Sequence, residues 1–147
     1  MSFEVNIFIE TTYKGPARRT GAAMWLVEYK RGDVPITRQG ILKLEDGTEN
    51  QAALMATIAA LSILTKSCSC RVFTQCEHIL NSARNCWHIQ WQKNDWHNAK
   101  GKPVKNSELW QQVIEISQKH AITYHSGRHE YQNVMQIELN KEMERNG

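Results

Sequence analysis

Apolar and polar positions change period along this chain, and the changes mark its elements. Phe3, Val5, Ile7 and Ile9 alternate with Glu4, Asn6, Phe8 and Glu10, a two-residue period that predicts a strand with at least one buried face. Lys14-Gly15-Pro16 is a turn. Residues 21–29 are apolar and predict a second strand, Arg31-Gly32-Asp33 a tight turn, and residues 36–44 a third strand, which together make an antiparallel meander. After Asp46-Gly47, Thr48 stands three residues before Gln51, the arrangement of a capping box. Leu54, Ile58 and Leu61 then recur at helical spacing, among alanines that let neighbours approach closely.

Beyond that helix, residues 71–74 predict a short strand. Residues 76 to about 96 predict a helix interrupted once near Asn85, and residues 99–104 a basic loop. Asn106 or Ser107 caps a helix bearing Leu109, Val113 and Ile116. Residues 121–124 are a strand, and residues 131–143 a last helix, with Val134 and Ile137, and Leu139 or Met143, turned inward. A meander followed by alternating strands and helices predicts an α/β fold, a five-stranded mixed sheet with helices packed on it. The 147 residues suit one domain, residues 1–147, with no internal repeat.

Composition removes several classes. A hydrophobic fraction of 41% with 22% charged residues excludes a disordered chain. The longest apolar stretch, residues 52–64, is interrupted by Thr57 and Ser62 and is shorter than the roughly 20 residues a bilayer span takes, so no membrane partner is expected. The segment Met1-Ser2-Phe3-Glu4-Val5-Asn6 lacks the basic and apolar regions of an export signal, and the chain reads as cytoplasmic. Cys68, Cys70, Cys76 and Cys86 match no common zinc spacing and read as reduced, packed thiols. Formal net charge is +3, but residues 84–106 hold Arg84, Lys93, Lys100, Lys102 and Lys105 against Asp95 alone, a local charge of +4, with Trp87, Trp91 and Trp96 among them.

That basic, tryptophan-rich stretch is the most specific one. Trp87-His88-Ile89-Gln90-Trp91-Gln92-Lys93-Asn94-Asp95-Trp96, followed by Lys102-Pro103-Val104-Lys105-Asn106-Ser107-Glu108-Leu109-Trp110, resembles the handle of the ribonuclease H family, type 1. The resemblance runs from Ile7 to about Leu139. It implies a ribonuclease H-like fold, and a handle that grips RNA–DNA hybrid. It also implies phosphodiester hydrolysis by two magnesium ions about 4 Å apart, held by four carboxylates.

Carried onto this chain, those four positions fall on Glu10, Ala53, Gln75 and Ile137. One carboxylate remains, a methylene longer than the family's aspartate, and Ala53 and Ile137 have no group that ligates. Glu49, Glu77 and Glu138 stand near these positions without pointing naturally into one cleft. The loop Tyr124-His125-Ser126-Gly127-Arg128-His129 keeps histidines near the family's loop histidine, and His125 and His129 read as exposed. No metal and no cofactor is therefore expected, and no catalytic residue.

The resemblance places the nucleic-acid contacts on Thr48, Asn50, Trp91, Lys93, Lys100, Lys102, Lys105 and Asn106. Thr48 and Asn106 match a phosphate pocket and Asn50 a minor-groove reader, while Trp87, Trp96 and Trp110 read as packing residues. Arg18, Arg19 and Arg128 lie near the same surface. Pro16 replaces a family asparagine, and Glu77 a glutamine-type reader, so backbone affinity is better supported than hybrid selectivity. The expected function is binding of RNA–DNA hybrid or duplex nucleic acid without efficient cleavage. An active nuclease using Glu10 with recruited carboxylates, and a protein-interaction scaffold, remain open from sequence.

Overall fold

The computed structural model describes residues 3–145. β1 (Phe3–Thr11), β2 (Arg19–Arg31) and β3 (Val34–Gly47) form the antiparallel meander, and β4 (Cys68–Phe73) and β5 (Ala121–His125) join it in parallel. The sheet order is β3-β2-β1-β4-β5, which puts β1 at the centre. The expected five-stranded mixed sheet is present, with β2 and β3 extending further than the sequence pattern indicated.

The helices are α1 (Glu49–Ser62), α2 (Glu77–Asn85), α3 (Trp87–Lys93), α4 (Ser107–Ser117) and α5 (Gln132–Glu144). Thr48 caps α1, its Oγ1 accepting the Gln51 amide at 3.2 Å. The break expected near Asn85 falls at Cys86, a left-handed residue at φ 52° that ends α2 and starts α3 in a new direction. Among the described residues no helix is long and apolar enough to cross a membrane.

β1 is buried on both faces. Its odd positions Val5, Ile7 and Ile9 enter the main core with α1, α4 and Val72. Its even position Phe8 enters a second core with Ala22, Met24, Leu26, Met135 and Leu139, under α5. Strand alternation therefore sends Asn6 and Glu10 to the α5 side as well. Cys68, Cys70 and Cys76 lie in the main core, where burial raises all three thiols, Cys70 to about 12 and Cys76 to about 11. Cys86 is exposed.

The phase of α5 differs from the sequence expectation. Val134 and Ile137 are 48% and 52% exposed, and Met135 and Leu139 face inward, with Met143 packed against the second core. The helix has apolar residues at two competing spacings. The Met135–Leu139–Met143 row wins because it covers Phe8 and Met24, and this rotates every polar residue of α5 by about 100° relative to the other choice.

Candidate nucleic-acid interface and cleft

A cleft of about 680 Å³ opens at the C-terminal end of β1, where β4 and α5 meet it. The family-matched positions lie on it unequally. The Glu10 side chain is 3% exposed and its carboxylate holds two donors: His129 Nε2 at 3.1 Å and Gln136 Nε2 at 2.9 Å. His129 Nδ1 accepts the Tyr131 amide N–H at 3.2 Å, so the ring proton sits on Nε2 and points at Glu10. Both imidazole nitrogens are thereby used, and neither is free to act as a base. Phe8 stacks on the same ring at 4.5 Å. His129, expected to be exposed, is 4% exposed in its side chain. His125 is tied locally, its Nε2 lying 2.8 Å from Thr123 Oγ1.

Ala53 is fully buried in the main core. Gln75 donates its amide to the Gly127 carbonyl at 2.8 Å, closing the 126–129 loop over the cleft edge. Ile137 faces solvent, and the α5 residues that line the cleft are Gln132, Gln136 and Asn140. The last-helix position nearest Glu10 is thus Gln136, a correction that follows from the phase of α5. Lys14 and Arg19 also line the cleft, and so, against the sequence expectation, does Glu49, while Glu77 and Glu138 do not. Burial, and then Glu77, raise the Glu49 carboxyl. Among the described residues no group of three His, Cys, Asp or Glu side chains is placed to hold a metal ion. Sequence reasoning missed Gln132, Gln136, Asn140 and Lys14. The signal for three of them was the alternative apolar row on α5.

The other predicted contact residues divide between two places. Asn50 Oδ1 accepts the Cys76 thiol at 3.4 Å beside the start of α2. Asn106 is left-handed, at φ 59°, and makes no side-chain cap. It still holds the N-cap position of α4, and its carbonyl accepts the Trp110 amide at 3.0 Å. Arg18 donates to the Asp46 carbonyl, and Arg19 to that of Thr12.

The handle is an ordered piece of backbone. Left-handed Asp95 and Trp96 stop α3. Asn98 Oδ1 then accepts the Lys100 and Lys102 amides at 2.9 and 3.1 Å, and a bridge between His97 and Pro103 closes the hairpin. Lys93, Lys100, Lys102 and Lys105 are all exposed, on a scaffold that fixes their spacing. Trp91 is partly buried, with ring centroids 5.7 Å from Trp110, 6.0 Å from His78 and 6.1 Å from Trp87. Trp110 is buried, and Trp96 packs on the main core, as packing residues should.

Trp110 Nε1 donates to His78 Nε2 at 3.1 Å, which joins α4 to α2 beneath the handle. Burial lowers His78 from the usual 6.5, and burial followed by Lys119 lowers His120. The unfolded chain therefore takes up protons that the folded chain refuses. Stability falls as pH drops through about 6.5, and goes on falling until the folded imidazoles titrate. Urea midpoints between about pH 7.5 and 5.5 should decline, and His78→Gln, which keeps an acceptor without the titration, should flatten the decline.

A profile of the ribonuclease H family, described as RNase H, matches residues 3–133. The chain belongs to the ribonuclease H family. Ribonuclease H of Chlorobium luteolum is 35% identical over 78 residues, 53% of either chain, and that of Nitratidesulfovibrio vulgaris is 33% identical over 88 residues, 56% of either chain. The chain thus spans about half the length of the curated relatives it matches. Among solved structures, LC9-RNase H1, described as a type 1 RNase H with the type 2 active-site motif, aligns with a TM-score of 0.75 at 21% identity, covering 96% of this chain and 70% of that one. LC11-RNase H1, solved in complex with RNA/DNA hybrid, aligns with a TM-score of 0.62 at 15% identity, covering 93% and 94%. These likenesses establish the ribonuclease H fold, and the topology above agrees with it.

Proposed function

We propose that this ribonuclease H family member binds RNA–DNA hybrid, or duplex nucleic acid, through its handle and leaves it uncut. The observation that carries the reading is the state of Glu10. The carboxylate matching the family's first metal ligand is committed to His129 and Gln136, while the four handle lysines stay exposed. Two magnesium ions are dications that demand hard, mostly anionic oxygen donors at short range. The cleft offers Glu10, already holding two donors, and Glu49, with Lys14 and Arg19 on the same wall. This donor set does not fit a magnesium pair. Gln75 has an amide carbonyl to offer, but its amide nitrogen is spent on Gly127.

A cleft with fewer negative charges repels a phosphate backbone less. Lys93, Lys100, Lys102 and Lys105 supply backbone contact, with Thr48, Asn50, Trp91 and Asn106 as further contacts. Binding of this kind is sequence-tolerant and depends on salt. The test is a titration of labelled hybrid, double-stranded RNA and double-stranded DNA at low salt, with EDTA or magnesium. The expected result is saturable binding of the hybrid with the same dissociation constant in both buffers. Binding that vanishes in EDTA would refute the reading, and absence of binding in either buffer would favour a scaffold role.

A further inference from the structure

The cleft at the end of β1 does not fit a pair of magnesium ions, and its wall carries two cations that no carboxylate answers. Lys14 and Arg19 both line it and both are exposed, and among the described residues neither makes an ion pair. Arg18, their neighbour, is instead paired with Asp46. Of the two carboxylates on the wall, Glu10 is 3% exposed and held by His129 and Gln136, which leaves Glu49. The α5 side of the wall, Gln132, Gln136 and Asn140, is uncharged. None of the handle lysines reaches this cavity.

The two cations stand on a loop that is fixed to the sheet. The Thr12 amide donates to the Ala22 carbonyl at 2.9 Å, and Thr12 Oγ1 accepts the Ala22 amide at 3.0 Å. Tyr13 is buried, and its Oη donates to the Arg19 carbonyl at 2.9 Å. Its ring lies so close to β2 that a Cβ on Gly21 would come within 2.5 Å of it, so glycine at that position is what admits the tyrosine. The Arg19 guanidinium folds back over the same ring, 5.4 Å from its centroid, and donates one Nη2 proton to the Thr12 carbonyl. A guanidinium has five N–H donors in one plane. Stacking and one carbonyl bond orient that plane and leave donors for an oxyanion, the group that arginine recognises best. A cation oriented before binding loses less side-chain freedom when the ligand arrives.

From this disagreement with a metal site we infer that the cleft takes a phosphate of the bound nucleic acid directly on Lys14 and Arg19. Two side-chain cations then neutralise the charge that divalent ions meet in the family. The sign of the ligand follows from the unanswered charges, since Lys14 and Arg19 repel a cation and only Glu49 opposes an anion. Asn140, exposed and without a partner among the described residues, adds a neutral amide donor on the facing wall. The inference rests on the binding reading above and gives it a second point of contact, distinct from the handle. A phosphate within a strand and one at a strand end share this chemistry, and the test separates them.

The probe is a short RNA–DNA hybrid with 5′-hydroxyl ends, titrated in EDTA over a salt series. Lys14→Ala combined with Arg19→Gln should weaken it about eightfold at 0.1 M salt. The slope of log Kd against log salt should fall by about one unit, the signature of one phosphate contact. Lys14→Glu alone, at an exposed turn position, should weaken it by more than tenfold, and it carries the test if the double variant melts early. Neutral methylphosphonate linkages placed one at a time should reproduce the eightfold loss at one internal position in the wild type, and cause no further loss there in the double variant. If the source is a strand end, a 5′-phosphate instead tightens binding to the wild type and not to the double variant. Glu49→Gln should tighten the hybrid about twofold, because it removes the opposing charge. Wild-type affinity and salt slope in the double variant and in Lys14→Glu would overturn the inference while leaving the handle reading intact. Weaker binding by Glu49→Gln would overturn it too, by showing that the cleft takes a cation. Absence of hybrid binding by the wild type at low salt would overturn the reading and the inference together.

Discussion

Replacing Lys93, Lys100, Lys102 and Lys105 together by alanine is expected to lower affinity for an RNA–DNA hybrid on the order of a thousandfold at 0.1 M salt. Each cation that neutralises a phosphate releases condensed counter-ion and contributes a factor of roughly eight at that salt, so four contacts reach this scale. The slope of log Kd against log salt should fall by about three to four units. All four side chains are exposed, and the Asn98 carboxamide holds the backbone of the loop through amide contacts that alanine keeps. The variant should therefore melt with the wild type. An unchanged salt slope would show that the handle is not where the backbone is held.

The second large effect concerns Glu10. Glu10→Ala is expected to destabilise the protein by about 3–5 kcal/mol in urea denaturation, equally with EDTA and with magnesium. The loss leaves the buried His129 Nε2–H and the part-buried Gln136 amide without their acceptor, and removing one partner of a buried polar pair costs on that scale. Glu10→Gln should cost less than half as much, since the glutamine carbonyl still accepts from one donor and Gln136 turns its own amide to meet the other. The sign matters. In a cleft crowded with metal-binding carboxylates, neutralising one relieves repulsion and stabilises the metal-free chain. Here the carboxylate joins β1, the 126–131 loop and α5, and its loss loosens all three. A second pin on the same face, Tyr131 Oη donating to Glu28 with Asn6 at 3.2 Å from that carboxylate, holds the start of α5 from the other side.

Much of this was legible in the sequence. The two-residue period of β1, the turn residues at 15–16 and 32–33, and the cap at Thr48 fixed the meander and α1 because each acts locally. The handle was legible because tryptophan and lysine spacing survives without knowledge of the sheet. What stayed hidden depends on distant partners. Alternation told that Glu10 lies opposite to Ile9, but not that α5 would cover that face. The row Met135–Leu139–Met143 prevails over Val134–Ile137 only when Phe8 and Met24 are there to be covered, and that one choice decides whether Gln136 or Ile137 meets Glu10. His129 looked like a solvent-exposed loop residue because nothing local announces that the Tyr131 amide will turn back to its Nδ1. Asn106 stands at the N-cap of α4 as expected, but in a left-handed conformation that gives its side chain no cap hydrogen bond, a choice asparagine's tolerance of both roles leaves to the backbone.

The central claim is grip without scission, and one assay reaches it directly. End-labelled hybrid at saturating protein, incubated with magnesium or manganese and resolved by length, should stay full length while a parallel shift assay shows it bound. Accumulating RNA fragments that disappear with Glu10→Gln would contradict the account, for they would mean that the carboxylate now seen holding His129 and Gln136 lets go of them to hold metal.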